Sequence, residues 1–286
     1  MTAAMDSPLE RPHSTLHFLA SSFIPLSVFL RDKMKIEESR LSELFRLGSI
    51  FVNKERVFSE TPLKENDYIR IHSFPKRYDV ESVDWKSRLI FENEAFVIIN
   101  KPAGVPVPPT LDNCVENVCY QLSQVLGVPL YVTQRLDVPV SGLLLLAKTH
   151  NFQSEFNRLL RQKRVIKHYR ALTPLAPPLG LHTHYMEKSL WAPKVLHATP
   201  KENRLECQLE ILKTEANNGL FDSEILLLTG RTHQIRGQLS FLKTPIEGDT
   251  TYGGKTGLFS SRRIALHAYL LAFKDFKFIS VPNWPT

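Results

Sequence analysis

The first residues that could do chemistry lie in the segment Tyr131-Val-Thr-Gln-Arg135-Leu136-Asp137-Val-Pro-Val-Ser141-Gly142. It sets Arg135 and Asp137 just ahead of an apolar run, Leu143 to Leu146, in a turn dictated by Pro139 and Gly142. Read alone, Asp137 has two roles open to it: a turn or salt-bridge residue, the commoner case because surface ion pairs abound, or a catalytic carboxylate. Far downstream stands Gly230-Arg-Thr-His-Gln-Ile-Arg236-Gly-Gln-Leu239. It opens a helix whose first turn offers Arg231, His233 and Gln234, with Arg236 about one and a half turns after Arg231. An arginine beside Asp137 would hold that carboxylate ionised and oriented. Between the two, Asn157 to Ala171 carries Arg158, Arg161, Lys163, Arg164, Lys167 and Arg170 and no acid. Such a run is either a solvated face or a contact for backbone phosphates.

The elements that must position these groups follow from hydrophobic period and turn residues. Leu26, Phe29 and Leu30 recur at helix spacing, and Leu41, Leu44, Phe45 and Leu47 make a second stripe stopped by Gly48. Strands follow at Ile50–Val52 and Tyr68–His72. Arg88–Phe91 and Ala95–Asn100 read as a hairpin, and Gly142–Lys148 as a buried strand before a helix with Phe152, Phe156, Leu159 and Leu160 on one face. Asn217-Asn218-Gly219 marks a hairpin turn between Leu205–Lys213 and Ser223–Leu228. A helix from about Thr232 to Leu242 and a strand from Arg263 to Phe273 complete an α+β pattern, mainly antiparallel, with a small N-terminal α/β module.

Other signals carry little. Gly253-Gly254-Lys255-Thr256 lacks the earlier glycine of a P-loop, since Asp249 stands there. His182, His184, His197 and Cys207 lack zinc spacing, so no metal is expected. Ser141 lacks the context of a nucleophile elbow and reads as a cap or turn residue.

Hydrophobic residues at 43% and charged residues at 23% suit a globular chain of one large or two modest domains. No apolar run approaches the roughly 20 residues of a membrane span. Three scattered cysteines fit a reducing compartment, and the interrupted stretch His17–Leu30 lacks a cleavage site, so no secretion signal is expected. The net charge of +7 favours an acidic partner such as nucleic acid.

Taken together, the segments resemble the RluA family of RNA pseudouridine synthases, whose central motif runs His-Arg-Leu-Asp-x-x-Thr-Ser-Gly-Leu. The likeness continues at Asn100-Lys-Pro-Ala-Gly104, Lys167-His-Tyr169-Arg-Ala171, Gly230–Arg236, Pro245-Ile-Glu-Gly-Asp249-Thr-Thr-Tyr252-Gly253 and Leu266-His-Ala268, in family order over about residues 88–273. The N-terminal module resembles the alpha-L RNA-binding domain of a small-subunit ribosomal protein. Ser39–Gly48, Ile50–Lys54 and Leu63–Ile71 carry that likeness, with the usual opening Arg-Leu-Asp absent. The expected organisation is a polar tail over 1–15, the RNA-binding-like module over 16–73, a linker over 74–87 and a catalytic domain over 88–286.

The resemblance implies isomerisation of uridine to pseudouridine without a cofactor, in ribosomal or transfer RNA, by a monomer in the cytoplasm, with an organelle or the nucleus left open. It assigns Asp137 as the catalytic carboxylate, Arg236 as its salt-bridge partner and Tyr169 as the residue stacked on the target base. It also implies base flipping, with Arg135 contacting or replacing the flipped base. Arg158, Arg161, Lys163, Arg164 and Lys167, on one basic helix, would follow the RNA backbone, with Arg231, His233 and Gln234 as further RNA contacts. Gln134, Val140, Gly237-Gln238 and Pro108 depart from the family pattern, which points to altered RNA contacts. A non-catalytic RNA-binding protein on the same fold is the alternative.

Overall fold

The computed structural model describes residues 15–256 and 262–284; the first fourteen residues of the expected tail lie outside it. The chain forms two compact units. One comprises residues up to Ser82 together with Pro108–Gln124, the other Val83–Val107 and Val125 onward. The first boundary therefore falls inside the stretch 74–87, and a piece of the family-like region packs with the N-terminal module.

In the first unit, strands β1 (Thr15–Leu19) and β2 (Ile24–Pro25) precede helices α1 (Leu26–Met34) and α2 (Glu38–Leu47). Then come β3 (Ile50–Val52), β4 (Glu55–Val57), β5 (Pro62–Leu63) and β6 (Tyr68–His72). The sheet order is β1-β6-β3-β4. The helical stripes foreseen from spacing bury Leu26, Phe29, Leu30, Leu41 and Leu44 against Ile50, Ile69 and Ile71. The segment 108–124 is bonded into this unit. Glu116 accepts from Arg77 Nε at 2.9 Å, from the Tyr78 N–H at 2.8 Å and from Asn113 Nδ2 at 2.8 Å. A buried carboxylate needs such a set of donors to offset its desolvation.

The second unit holds an eleven-stranded sheet. In chain order come β7 (Leu89–Glu92), β8 (Phe96–Lys101), then helix α3 (Val118–Leu126), within which the unit boundary falls, and β9 (Tyr131–Val132). Next are β10 (Ser141–Ala147), α4 (His150–Arg161), β11 (Val165–Thr173), β12 (Gly180–Glu187) and β13 (Leu196–His197). The chain continues through β14 (Arg204–Asn217), β15 (Leu220–Leu227), α5 (Gln234–Phe241), β16 (Leu266–Phe273) and β17 (Phe276–Ile279). The main path is β13-β12-β14-β15-β11-β16-β10-β8-β7, with β17 on β16 and β9 on β10. Among the described residues every pairing is antiparallel except β10 with β16, so the expected mainly antiparallel α+β architecture is the one observed.

Two features place the site. The hairpin β14–β15 turns on Asn218 and Gly219, both with positive φ, the turn read from sequence. At the parallel β10–β16 pair, a Cβ on Gly142 would stand 2.4 Å from the Ala268 carbonyl oxygen, and its φ is +109°. Only glycine lets the chain enter β10 this close to β16. The register of β11 on β16 shifts between His168 and Tyr169, a bulge of the kind found beside functional sites. One expected element differs: Arg158–Arg170 is not one helix. α4 stops at Arg161, Lys163 adopts φ +56°, and Val165 begins β11. Val165 and Ile166 are β-branched and favour the strand.

Candidate active site

Asp137 sits in the turn between β9 and β10, closed by the Val140 N–H donating to the Asp137 carbonyl at 3.1 Å. The carbonyls around it are held one by one. Lys101 Nζ, at the end of β8, donates to the carbonyls of Pro102 (2.8 Å), Val138 (3.2 Å) and Val140 (2.8 Å). The Gly104 N–H also donates to Val138, and the Ile264 N–H to Pro139. Lys101 is fully buried. Burial pushes its pKa down to about 7, against the pull of the Asp137 charge. Ser141 bonds His267 Nδ1 at 2.8 Å, and His267 Nε2 faces the Ser280 carbonyl at 2.9 Å. Ser141 thus anchors the start of β10.

Arg236, on α5, meets Asp137 from the other side. Its Nη1 donates to Asp137 Oδ2 at 3.3 Å. The closer partner is Asp249, which takes Nε at 2.7 Å and Nη2 at 2.9 Å in a bidentate clamp. Arg236 is 5% exposed and Asp249 1%, so the clamp fixes the guanidinium and aims its remaining face at Asp137. Burial opposes the Arg236 charge, but the hydrogen bonds and charge of Asp249, backed by Asp137, more than offset it and raise the pKa. The Tyr252 ring lies 5.0 Å from the guanidinium, a cation–π distance.

His233 adopts φ +59° just before α5. Its Nε2 is 3.8 Å from Asp137 Oδ2 and its Nδ1 3.1 Å from Tyr252 Oη. Burial lowers its pKa; the Asp137 charge pulls upward and Arg236 downward, and the net is a shift below the ordinary value. Tyr169 projects from β11 and is 8% exposed. Burial and then the Asp137 charge raise its pKa, so it stays a phenol.

The structure thus brings Asp137, Arg236, Tyr169 and His233 to one place. Arg135 is exposed, with Nη2 3.5 Å from Thr232 Oγ1 beside the same helix entry. Arg231 is also exposed at that entry. Lys167 is half-buried on β11, and a Cβ on Gly230 would lie 3.4 Å from its Nζ. Arg158, Arg161, Lys163 and Arg164 are exposed at the end of α4 and the turn after it; none is in an ion pair among the described residues. Gln234 is not available to RNA. Its Oε1 accepts from Thr229 Oγ1 and the Arg231 N–H, and its Nε2 donates to the Gln208 carbonyl and Gln238 Oε1.

Two departures from the family pattern, Gly237 and Gln238, have packing reasons. A Cβ at Gly237 would stand 2.6 Å from Leu196 Cδ1. Gln238 is wholly buried, its Nε2 facing the His182 and Cys207 carbonyls and His184 Nδ1. Both serve the seating of β12 and β13 on α5. Sequence reasoning gave no role to Lys101, Asp249 or Tyr252, although all three lie in the family-like segments. For Lys101 the one local signal is a lysine ending the apolar strand Phe96–Ile99.

Among the described residues, no group of three or more His, Cys, Asp or Glu could hold a metal, and no helix is long and apolar enough to cross a membrane. The profile of the family described as RNA pseudouridylate synthase matches residues 95–241, just over half of the chain. The rice protein RNA pseudouridine synthase 6, chloroplastic, is 34% identical over 214 residues, 66% of this chain and 45% of that protein. The chain therefore spans less than half the length of that relative and of its Arabidopsis counterpart. A Helicobacter pylori protein named uncharacterized RNA pseudouridine synthase is 31% identical over 273 residues, 87% of this chain and 82% of the relative. The human RNA pseudouridylate synthase domain containing 4 shares the fold at TM-score 0.58 and 23% identity, over 70% of this chain and 90% of the other. The profile covers the segments that hold Asp137, Tyr169 and Arg236, and the chain belongs to the RNA pseudouridylate synthase family.

Proposed function

We propose that this chain isomerises uridine to pseudouridine in structured RNA, with Asp137 as the catalytic carboxylate. The observation that carries the reading is the placement of Asp137 against Arg236, itself clamped by buried Asp249, with the Tyr169 phenol close enough to feel the Asp137 charge. In the reaction the bond from uracil N1 to ribose C1′ breaks, the base turns, and C5 bonds to C1′. The C5 proton is lost and N1 gains one, so atoms and electrons balance with no redox change. The Asp137 carboxylate begins this chemistry by adding to C1′ or by taking the sugar proton at C2′. Either step uses a group whose charge the Arg236 guanidinium orients.

Tyr169, held as a phenol, packs on the uracil. A uridine in a helix must be flipped to reach these groups. Arg135 and Arg231 at the helix entry, and Lys167 beside Gly230, line its approach. The exposed cations Arg158, Arg161, Lys163 and Arg164 take backbone phosphates. Ribosomal RNA is the favoured substrate, in keeping with the similar Rickettsia prowazekii protein named ribosomal large subunit pseudouridine synthase C, 31% identical over 63% of this chain.

The test is a pseudouridine map of host RNA in cells carrying the wild type, Asp137→Asn, or no protein. A site present with the wild type alone is expected, with Asp137→Asn abolishing its formation on purified RNA while RNA affinity persists. Equal product from Asp137→Asn would refute the assignment. Absence of any lost site would favour the non-catalytic RNA-binding reading.

A further inference from the structure

The loop between β12 and β13 is unlike the rest of the second unit's surface. Residues 188–195 present Leu190 and Trp191 at 96% and 81% exposure, two large apolar side chains in sequence with almost no protein against them. Exposure on this scale is unfavourable in water unless something else covers the side chains. The loop is nevertheless built. The Glu187 N–H donates to the Val195 carbonyl at 2.9 Å and closes its base. Ser189 Oγ accepts the Trp191 N–H at 3.0 Å, and Lys194 Nζ donates to the Ser189 carbonyl. Leu196, just beyond, packs where a Cβ on Gly237 would stand, so a departure from the family pattern seats this loop.

The loop is also wired to the catalytic carboxylate. The Lys194 N–H donates to Tyr252 Oη at 2.8 Å, and Tyr252 Oη meets His233 Nδ1 at 3.1 Å. His233 Nε2 in turn stands 3.8 Å from Asp137. Between the loop and the entry to α5 runs a groove of about 480 Å³ lined by Lys188, Leu190, Lys194, Arg231 and Thr232. The one acid on its wall, Glu187, is engaged by His197 at 2.7 Å. An apolar platform flanked by cations, with its only carboxylate occupied, complements a polyanion that carries flat apolar faces. Single-stranded nucleic acid is that polymer.

We infer that Trp191 is a stacking platform for an unpaired base flanking the flipped uridine, with Lys188, Lys194 and Arg231 on the adjoining phosphates. The inference rests on the reading of the chain as an enzyme acting on RNA and specifies which RNA it takes: one with an unpaired base beside the target. Trp191 touches no catalytic group. It sets where the strand runs, and so acts on affinity and site choice.

The probe is a short oligoadenylate, which has no uridine for the catalytic pocket, compared with a blunt RNA duplex at the same salt. Trp191 emission, taken as the difference between the wild type and Trp191→Phe, is expected to be quenched by oligoadenylate and left unchanged by the duplex. Trp191→Ala is expected to weaken oligoadenylate binding about 10-fold. Trp191→Phe should restore most of the affinity, because it keeps a ring to stack on. Lys188→Glu is expected to lower the salt slope of binding by about one. Equal affinity of Trp191→Ala and wild type for oligoadenylate, or unquenched Trp191 emission at saturation, would overturn the platform. These readouts need no turnover, so failure to find pseudouridine would sink the enzymatic reading and leave the stacking result to be judged by itself.

Discussion

Replacing Lys101 by Met tests how the Asp137 turn is held, and its cost should depend on pH. Lys101 is fully buried with a pKa lowered to about 7, whereas in the unfolded chain it titrates near its ordinary 10.5. Between those values the unfolded state binds the proton and the folded state does not, so this group makes the fold more stable as pH rises. Each pH unit inside the window is worth about 1.4 kcal/mol. From pH 7 to pH 9 the wild type should gain roughly 2 kcal/mol from Lys101 alone. Met keeps the volume and removes both the charge and the N–H donors that face these carbonyls. It relieves a buried charge at low pH but leaves the Pro102 and Val140 carbonyls without that donor, at about 1–3 kcal/mol each. Lys101→Met should therefore lie closest to the wild type at pH 6.5 and fall behind by roughly 3 kcal/mol at pH 9. Urea unfolding at both pH values measures this. Burial raises the thiols of Cys119 and Cys207, to about 12 and about 11, which makes both proteins lose stability in alkali, and the difference between variants cancels it. Parallel pH profiles for the two proteins would refute the reasoning.

Other outcomes follow from the same geometry. Asp249→Ala leaves a buried guanidinium with Asp137 as its remaining carboxylate, and should cost about 3–5 kcal/mol in urea unfolding, far more than a surface ion pair. His267, held near a pKa of about 4 by burial, should make the fold lose stability as pH falls from about 6.5 to 4, by roughly 3 kcal/mol in all. His267→Gln should flatten that acid limb in pH-dependent unfolding. Gly237→Val, which restores the common family residue, should destabilise by about 1–3 kcal/mol through collision with Leu196, and Leu196→Ala should relieve part of the loss in a double-mutant cycle.

Much of the fold is legible in local pattern. The stripes of α1, α2 and α4 and the Asn218-Gly219 hairpin emerge from spacing, because their hydrophobic period and turn residues act over a few positions. β12 has no clear local signature, because Gly180–Glu187 holds His182, Thr183 and His184 among few apolar residues and pairs along its length with β14. The basic run from Arg158 to Arg170 gives no local sign of where helix ends, because charge has no period. A left-handed Lys163 and the pairing of Val165 with Phe273 decide where helix gives way to strand.

The site divides in the same way. Asp137, Tyr169 and Arg236 stand out in sequence because each lies in a segment that resembles a motif of the RluA family. The residues that make those three a site come from elsewhere. Asp249 clamps Arg236 from 13 positions away and Lys101 holds the Asp137 turn from another strand. Gln234 looks like an RNA contact in a list of polar residues and is consumed by buried partners in space. Sequence alone determines which side chains carry charge and which local turns they occupy. Which of those charges face each other, and which are buried deeply enough to shift in pKa, is decided by strand order and long-range packing, because Coulomb energy and desolvation depend on distance and burial rather than on position in the chain.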